Sequence, residues 1–349
     1  MKRIPQLDGL RGLAVLLVLV HNTDEYSSLH LGPIQHYGWM GVDLFFVLSG
    51  FLITGILLDT KSHGAYFKNF YVRRCLRIWP LYYAALVLMF VVVPHLVPAE
   101  AGAVFAPRSS PWWSYLFYLQ NYLVPVPTQA TGLLGVTWSL AVEEQFYLIW
   151  PLVVWFLTPR VLQWVAVSVI VLSPILRFVL AGHGVILYSN PACRLDGLMA
   201  GALLALSARS SGFEASRYAR FAWVAAPILL LLALQTDGEQ WLQFSLVALA
   251  SASLVYLALF AQEKALQAVL KTRFLVYTGT ISYAIYLLEK LPLDAVKALH
   301  AQSRPWLAFA ATTAATYLLA TLSWHLLEKP FLGLKRYFES SVPAQMPAD

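Results

Sequence analysis

Residues 11–22, "RGLAVLLVLVHN", set nine apolar or glycyl residues between an arginine and a histidine. Such a run belongs in hydrocarbon, yet each end carries a group that hydrocarbon rejects. The same tension recurs outward along the chain. Apolar stretches of roughly 20 residues, the length that crosses a bilayer core about 30 Å thick, follow one another from end to end. We place spans near 9–24, 36–58, 78–97, 138–157, 161–181, 192–208, 221–236, 241–260, 274–297 and 305–327, ten in all. The 349 residues are 59% hydrophobic and 12% charged, with a mean hydropathy of +0.64. Soluble domains carry about 25% charged residues. The fold class expected is therefore an all-α, polytopic membrane protein with its helices in a single bundle.

The net charge of +6 is a matter of topology and not a nucleic-acid footprint. With the N-terminus placed in the cytoplasm, 17 of the 24 Lys and Arg residues fall on that side, against only Arg108, Lys297 and Arg304 in outer segments. The positive-inside rule then puts both termini in the cytoplasm of a cell inner membrane protein. The first span runs directly into polar "HNTDEY" without a small-residue cleavage site, and reads as a retained helix, not a signal peptide. Cys75 and Cys193 lie far apart with no CxxC spacing, so neither a disulfide framework nor a metal site is indicated.

No repeat interrupts the spans, and one membrane domain, residues 1–331, is the economical division. Residues 332–349 are expected to form a disordered cytoplasmic tail, and no soluble catalytic domain is expected at either end. Between spans, "WWSYLFYLQNYLV" is short and loaded with Trp and Tyr, which favour the headgroup region. It is expected as a re-entrant or interfacial helix over an outer cavity, or as a plain aromatic anchor. In "LSGFLI", Ser49 and Gly50, with Gly55 beyond, form a narrow strip that suits close helix approach more than substrate contact.

Ionisable residues inside the spans fall into two layers. The inner one holds Arg73, Arg74 and Arg77 in "FYVRRCLRIWPLYY" and Arg11 in the first span. Arg74 and Arg77 share one helix face, and guanidinium groups fork onto phosphates; the alternative is that they snorkel to lipid headgroups. The outer layer collects His21, Asp43, Glu143, Glu144, Arg194 and Asp196 from four helices. These either line a water-filled cavity or form pairs that hold helices together. Beside carboxylates, His21 becomes a candidate general base. Along one helix it lies about 15 Å from Arg11, the reach of a pantetheine-like arm.

The segments "LDGLRGLA", "GVDLFFVLSGFLIT", "RRCLRIWPLYY", "WSLAVEEQFYLIWP", "RLDGLMAGALLA", "GTISYAIYLLEKLPL" and "WHLLEKPF" resemble, in order, those of the membrane-bound acyltransferase-3 family, over residues 7–331. The resemblance implies ten helices and O-acylation of extracytoplasmic glycans or other hydroxylated acceptors. Acyl-CoA, acetyl-CoA foremost, would be a co-substrate, with no bound cofactor. It implies His21 as catalytic residue and Arg11, Arg74 and Arg77, joined by Arg73, as the acyl-CoA site. We expect a carboxylate among Asp43, Glu143 and Glu144 to orient the imidazole, with Arg194, Asp196, Glu289 and Trp138 around the acceptor. The chemistry would be direct transfer or an acyl-histidine relay. A transporter of a glycan or anionic metabolite is the alternative, and a non-catalytic scaffold a third.

Two departures stand out. The family sets ten residues between its arginine and histidine, which brings them within about 20° on the helix wheel, whereas nine leave about 80°. Asn22 occupies the family position, but an amide does not titrate, so His21 is kept as the base and a local helix irregularity is expected to realign it. Glu289 stands where the family commonly has histidine. One of Glu289 and Lys290 is expected to face the cavity and the other the interface.

Overall fold

The computed structural model describes residues 4–23, 31–96, 110–123, 132–210, 213–299 and 304–338, and every regular element among them is a helix. Helix α1 (Pro5–Asn22) starts with proline at its first position, where the missing N–H costs nothing. It is followed by α2 (Pro33–Tyr37), α3 (Met40–Thr60) and α4 (Tyr66–Val87), the last continuing through a π turn to Leu96. Two short helices, α5 (Trp112–Leu116) and α6 (Gln120–Leu123), lead to α7 (Thr137–Phe156) and α8 (Pro159–Gly182). Then come α9 (Leu195–Ser207), α10 (Ala215–Gln235) and α11 (Gln240–Phe260). Shorter pieces follow: α12 (Lys264–Leu270), α13 (Arg273–Thr280), α14 (Ser282–Leu288) and α15 (Lys290–Ala298). Helix α16 (Pro305–Ser323) passes through a π turn into α17 (Lys329–Gly333).

This is an all-α polytopic membrane protein. Six helical stretches among the described residues are long and apolar enough to span a bilayer: 33–60, 66–96, 159–182, 218–235, 240–260 and 305–338. The other four expected spans are helical but depart from that simple form for one physical reason: they carry or adjoin the polar groups. Asp8, Arg11 and His21 interrupt α1, and Glu143 and Glu144 interrupt α7. Helix α9 has 13 residues and begins beside Arg194. The stretch 274–297 is divided among α13, α14 and α15, with Glu289 at the last break.

Lipid tails are as apolar as leucine, so helices in a membrane associate through close backbone packing. Here glycines supply it. A Cβ on Gly50 would stand 1.9 Å from the Leu198 carbonyl oxygen, and one on Gly201 would stand 2.0 Å from that of Val47, so α3 and α9 meet backbone to backbone. Gly279 and Asp8 give α1 and α13 the same intimacy at 1.8 Å. Helix α3 is consequently central, 72% of its most apolar window being buried, against 17% for α8, whose Leu172, Ile175 and Phe178 face outward.

Two buried ion pairs reinforce this centre. Arg194 donates to Asp43 at 2.8 Å, and Arg177 donates to Asp196 at 2.8 Å as well as to Ser245 and to the carbonyls of Cys193 and Trp241. At the far end, α17 and the 3₁₀ turn Leu334–Phe338 pack back on α4, so order extends past residue 331, where the expected tail begins. Residues 339–349 of that tail lie outside the described residues.

Candidate functional site

Five helices line the larger cavity, and three of them turn a stripe of helical periodicity toward it. Helix α3 contributes Val42, Phe45, Phe46 and Ser49; α7 contributes Ser139, Leu140, Glu143 and Tyr147; α14 contributes Ser282, Tyr283 and Tyr286. Helix α4 adds Arg74, Arg77 and Ile78, and α1 adds Arg11. Three arginines thus converge on one space. Arg73, their neighbour in sequence, does not line it.

A carboxylate sits among these cations. Glu143 accepts from Ser49 Oγ at 2.6 Å and from Tyr147 Oη at 3.0 Å, and the two hydroxyls are 2.9 Å apart. The Arg74 guanidinium lies 5.5 Å from the Tyr147 ring centre, within cation–π range. Glu144, one step around the helix, accepts instead from Trp79 Nε1 at 3.4 Å.

The smaller pocket is lined by Val18, His21, Asn22, Trp39, Val42, Val136, Trp138, Tyr188 and Tyr286. His21 Nδ1 lies 2.8 Å from the carbonyl oxygen of Gln35 on α2. A carbonyl only accepts, so Nδ1 carries a proton, and in the neutral ring Nε2 is the basic nitrogen. That contact depends on Gly38, where a Cβ would meet the Leu17 carbonyl oxygen at 2.2 Å and His21 Cβ at 2.9 Å. Asn22 beside it donates its amide N–H to Glu289 Oε1 in a short hydrogen bond.

The structure therefore sorts the expected site residues into three groups. Arg11, Arg74, Arg77 and Glu143 share the arginine cavity, while His21 and Trp138 share the histidine pocket, with Glu289 behind Asn22. Asp43, Arg194 and Asp196 line neither, being taken up in the buried ion pairs. The expected single outer layer of acids around the imidazole is thus corrected: Glu143 lies with the arginines, Asp43 with Arg194, and a backbone carbonyl holds the ring. The depth of Glu143 follows from its place in α7, two helical turns from the pocket-lining Val136.

Three further expectations change. Helix α1 is α-helical from Pro5 to Asn22 with no irregularity, so about 80° separates Arg11 from His21 and each serves a different chamber. Glu289 and Lys290 both turn inward, at 3% and 2% exposure, at the break between α14 and α15. The aromatic segment forms α5 and α6, which dock on α4 and α7 through Tyr82, Tyr83 and Gln145. Its described residues line neither cavity, though Trp112, Phe117 and Tyr122 are exposed as an interfacial element requires.

Sequence reasoning passed over Ser49, Tyr147, Ser139 and Tyr286 as site residues. Tyr147 stands four residues after Glu143, a spacing that puts both on one helix face and could have flagged it. Ser49 adjoins Gly50, but adjacent residues point about 100° apart: the glycine meets α9 and the serine meets α7.

This order of motifs has counterparts. A family model described as an acyltransferase domain matches residues 4–325. The chain belongs to the acyltransferase-3 family. Among relatives of this acyltransferase-family chain, the peptidoglycan O-acetyltransferase OatA of Listeria monocytogenes is 29% identical over 97% of the chain and 57% of the relative. The putative peptidoglycan O-acetyltransferase YrhL of Bacillus subtilis is 29% identical over 94% of the chain and 54% of the relative. The O-acetyltransferase OatA of Staphylococcus aureus is 27% identical over 94% and 57%. The chain spans about half the length of the curated relatives it matches. No solved structure matches it.

Proposed function

We propose that this chain is a membrane O-acyltransferase that moves an acetyl or other short acyl group from acyl-CoA to a hydroxyl of an extracytoplasmic glycan. The observation that carries the reading is the meeting of two unlike chambers, one lined by arginines and one by a histidine, at Val42 and Tyr286, which line both. Arg74, Arg77 and Arg11 suit the phosphates of a donor entering from the cytoplasmic side, since planar guanidinium groups hold phosphate oxygens bidentately. The tyrosine-rich and apolar remainder of that cavity suits the uncharged arm and thioester.

His21 acts from the other side. Its Nε2 takes the proton of an acceptor hydroxyl, whose oxygen attacks the thioester carbonyl; the carbon–sulfur bond breaks and the departing thiolate recovers the proton from the imidazolium. Gln35, through its carbonyl, keeps the ring in the tautomer this step needs. Trp39, Trp138 and Tyr188 give that pocket an aromatic wall, a lining suited to an organic acceptor such as a sugar. Peptidoglycan, the acceptor in the names of the Listeria and Bacillus relatives, is the first acceptor to try.

The reading is tested with the purified protein in lipid vesicles, radiolabelled acetyl-CoA and peptidoglycan fragments. Base-labile label on the glycan together with free thiol is the expected result. Intact acetyl-CoA in the presence of every glycan fraction would overturn it.

A further inference from the structure

Tyr286 occupies the wall between the chambers. Tyr286 lines both, as Val42 does from α3, and the two residues are 7% and 4% exposed. The phenol hydroxyl donates to the Val136 carbonyl at 3.0 Å and lies 2.6 Å from Ser139 Oγ. Of these two partners, Ser139 lines the arginine cavity and Val136 the histidine pocket, so the hydroxyl is fastened across the boundary itself. Phe45 backs the ring edge-on at 6.3 Å. The ring itself is packed in the apolar core, and the hydroxyl contacts to Val136 and Ser139 are the polar ties that fix it across the boundary.

We propose that Tyr286 is the gate that couples transfer to acceptor: in place, it keeps water of the histidine pocket from the thioester, and only its displacement lets acyl carbon and acceptor oxygen meet. This rests on the acyl-CoA reading above. The reaction it suppresses is hydrolysis, in which water oxygen attacks the thioester carbonyl, the carbon–sulfur bond breaks, and the free acid and thiol are released with water supplying both protons needed. Tyr286 is a positioning residue and gives no proton to the reaction. Its removal is therefore expected to change the partition between products more than the chemistry itself.

The test measures thiol release and glycan-bound label in parallel, using acetyl-CoA with and without peptidoglycan fragments. Tyr286→Phe keeps the ring and loses both hydroxyl contacts; acceptor-independent thiol release should rise about five- to thirtyfold, the population change that losing one or two net hydrogen bonds gives. Val42→Ala thins the opposite side of the wall and should raise it in the same direction, which keeps the test decisive if the tyrosine variant melts early. Thiol release at wild-type level in both variants, with wild type active, overturns the gate alone. Loss of transfer in both with no added hydrolysis also overturns it and makes Tyr286 a structural residue. A wild-type protein that releases no thiol from acetyl-CoA under any condition overturns the donor reading and the gate together.

Discussion

Asp43 permits a sharp test, because the sequence casts it as a partner of the catalytic imidazole and the structure gives it to Arg194. The two side chains are 3% and 0% exposed and 2.8 Å apart. Among the described residues the other guanidinium nitrogens of Arg194, Nε and Nη1, have no hydrogen-bond acceptor, and the group lies against rings, with Phe244 at 4.0 Å. Asp43→Ala thus strands a buried cation whose remaining support is aromatic. Breaking such a pair costs about 3–5 kcal/mol, from which the cation–π contacts, about 0.5–2 kcal/mol each, are already counted in both states. The expected result is a large drop in thermal midpoint in detergent and little folded protein. Replacing both partners by apolar side chains of similar size, Asp43→Leu with Arg194→Met, removes the charge along with its counter-charge, and such replacement is commonly neutral or stabilising. The double variant should recover its melting midpoint and, per folded molecule, most of its acyl transfer. Recovered folding with transfer abolished would refute this reasoning and return Asp43 to the imidazole.

Other expectations follow from the two chambers. His21→Ala should lower transfer by about 10²–10⁴-fold, the contribution of a positioned base, with an unchanged melting midpoint as the control. Arg74→Ala and Arg77→Ala should each raise the donor KM about tenfold or more, as loss of a charge-assisted phosphate contact predicts, leaving the acceptor KM nearly fixed in initial-rate measurements. Gly38→Ala places a methyl 2.2 Å from the Leu17 carbonyl oxygen, which must push α2 and the Gln35 carbonyl away from His21; kcat should fall while donor KM stays, and the melting midpoint should drop.

The fold was largely legible because hydrocarbon imposes length and composition on every crossing segment, and those are sequence properties. The inner arginines were legible for the same reason: Arg74 and Arg77 share a face at a spacing of three and meet one cavity. What sequence could not supply was the neighbour of each helix. Asp43 and Arg194 stand 151 residues apart, and only the glycine contact between α3 and α9 makes them a pair and not two free site charges. The contact described for His21 Nδ1 is with a backbone carbonyl, which any residue at position 35 would provide and no sequence pattern announces. The counter-charge of the arginine cavity, Glu143, is legible as an intramembrane acid, but its depth depends on where α7 begins and not on its own identity.

The spacing of nine residues in α1 gains a physical meaning from the straightness of that helix. With ten between them, an arginine and a histidine would look into one space; with nine, Arg11 faces the arginine cavity and His21 the histidine pocket, about 15 Å along and 80° around. A straight donor arm lying along α1 therefore does not bring a thioester from one to the other. On the acyl-CoA reading proposed above, the arm would pass from the α3–α4–α7 side toward α1 and cross at Val42 and Tyr286, which line both chambers. In this chain the short spacing and the tyrosine wall are two expressions of one geometry: His21 lines the pocket on one side of Val42 and Tyr286, and Arg11, Arg74 and Arg77 line the cavity on the other.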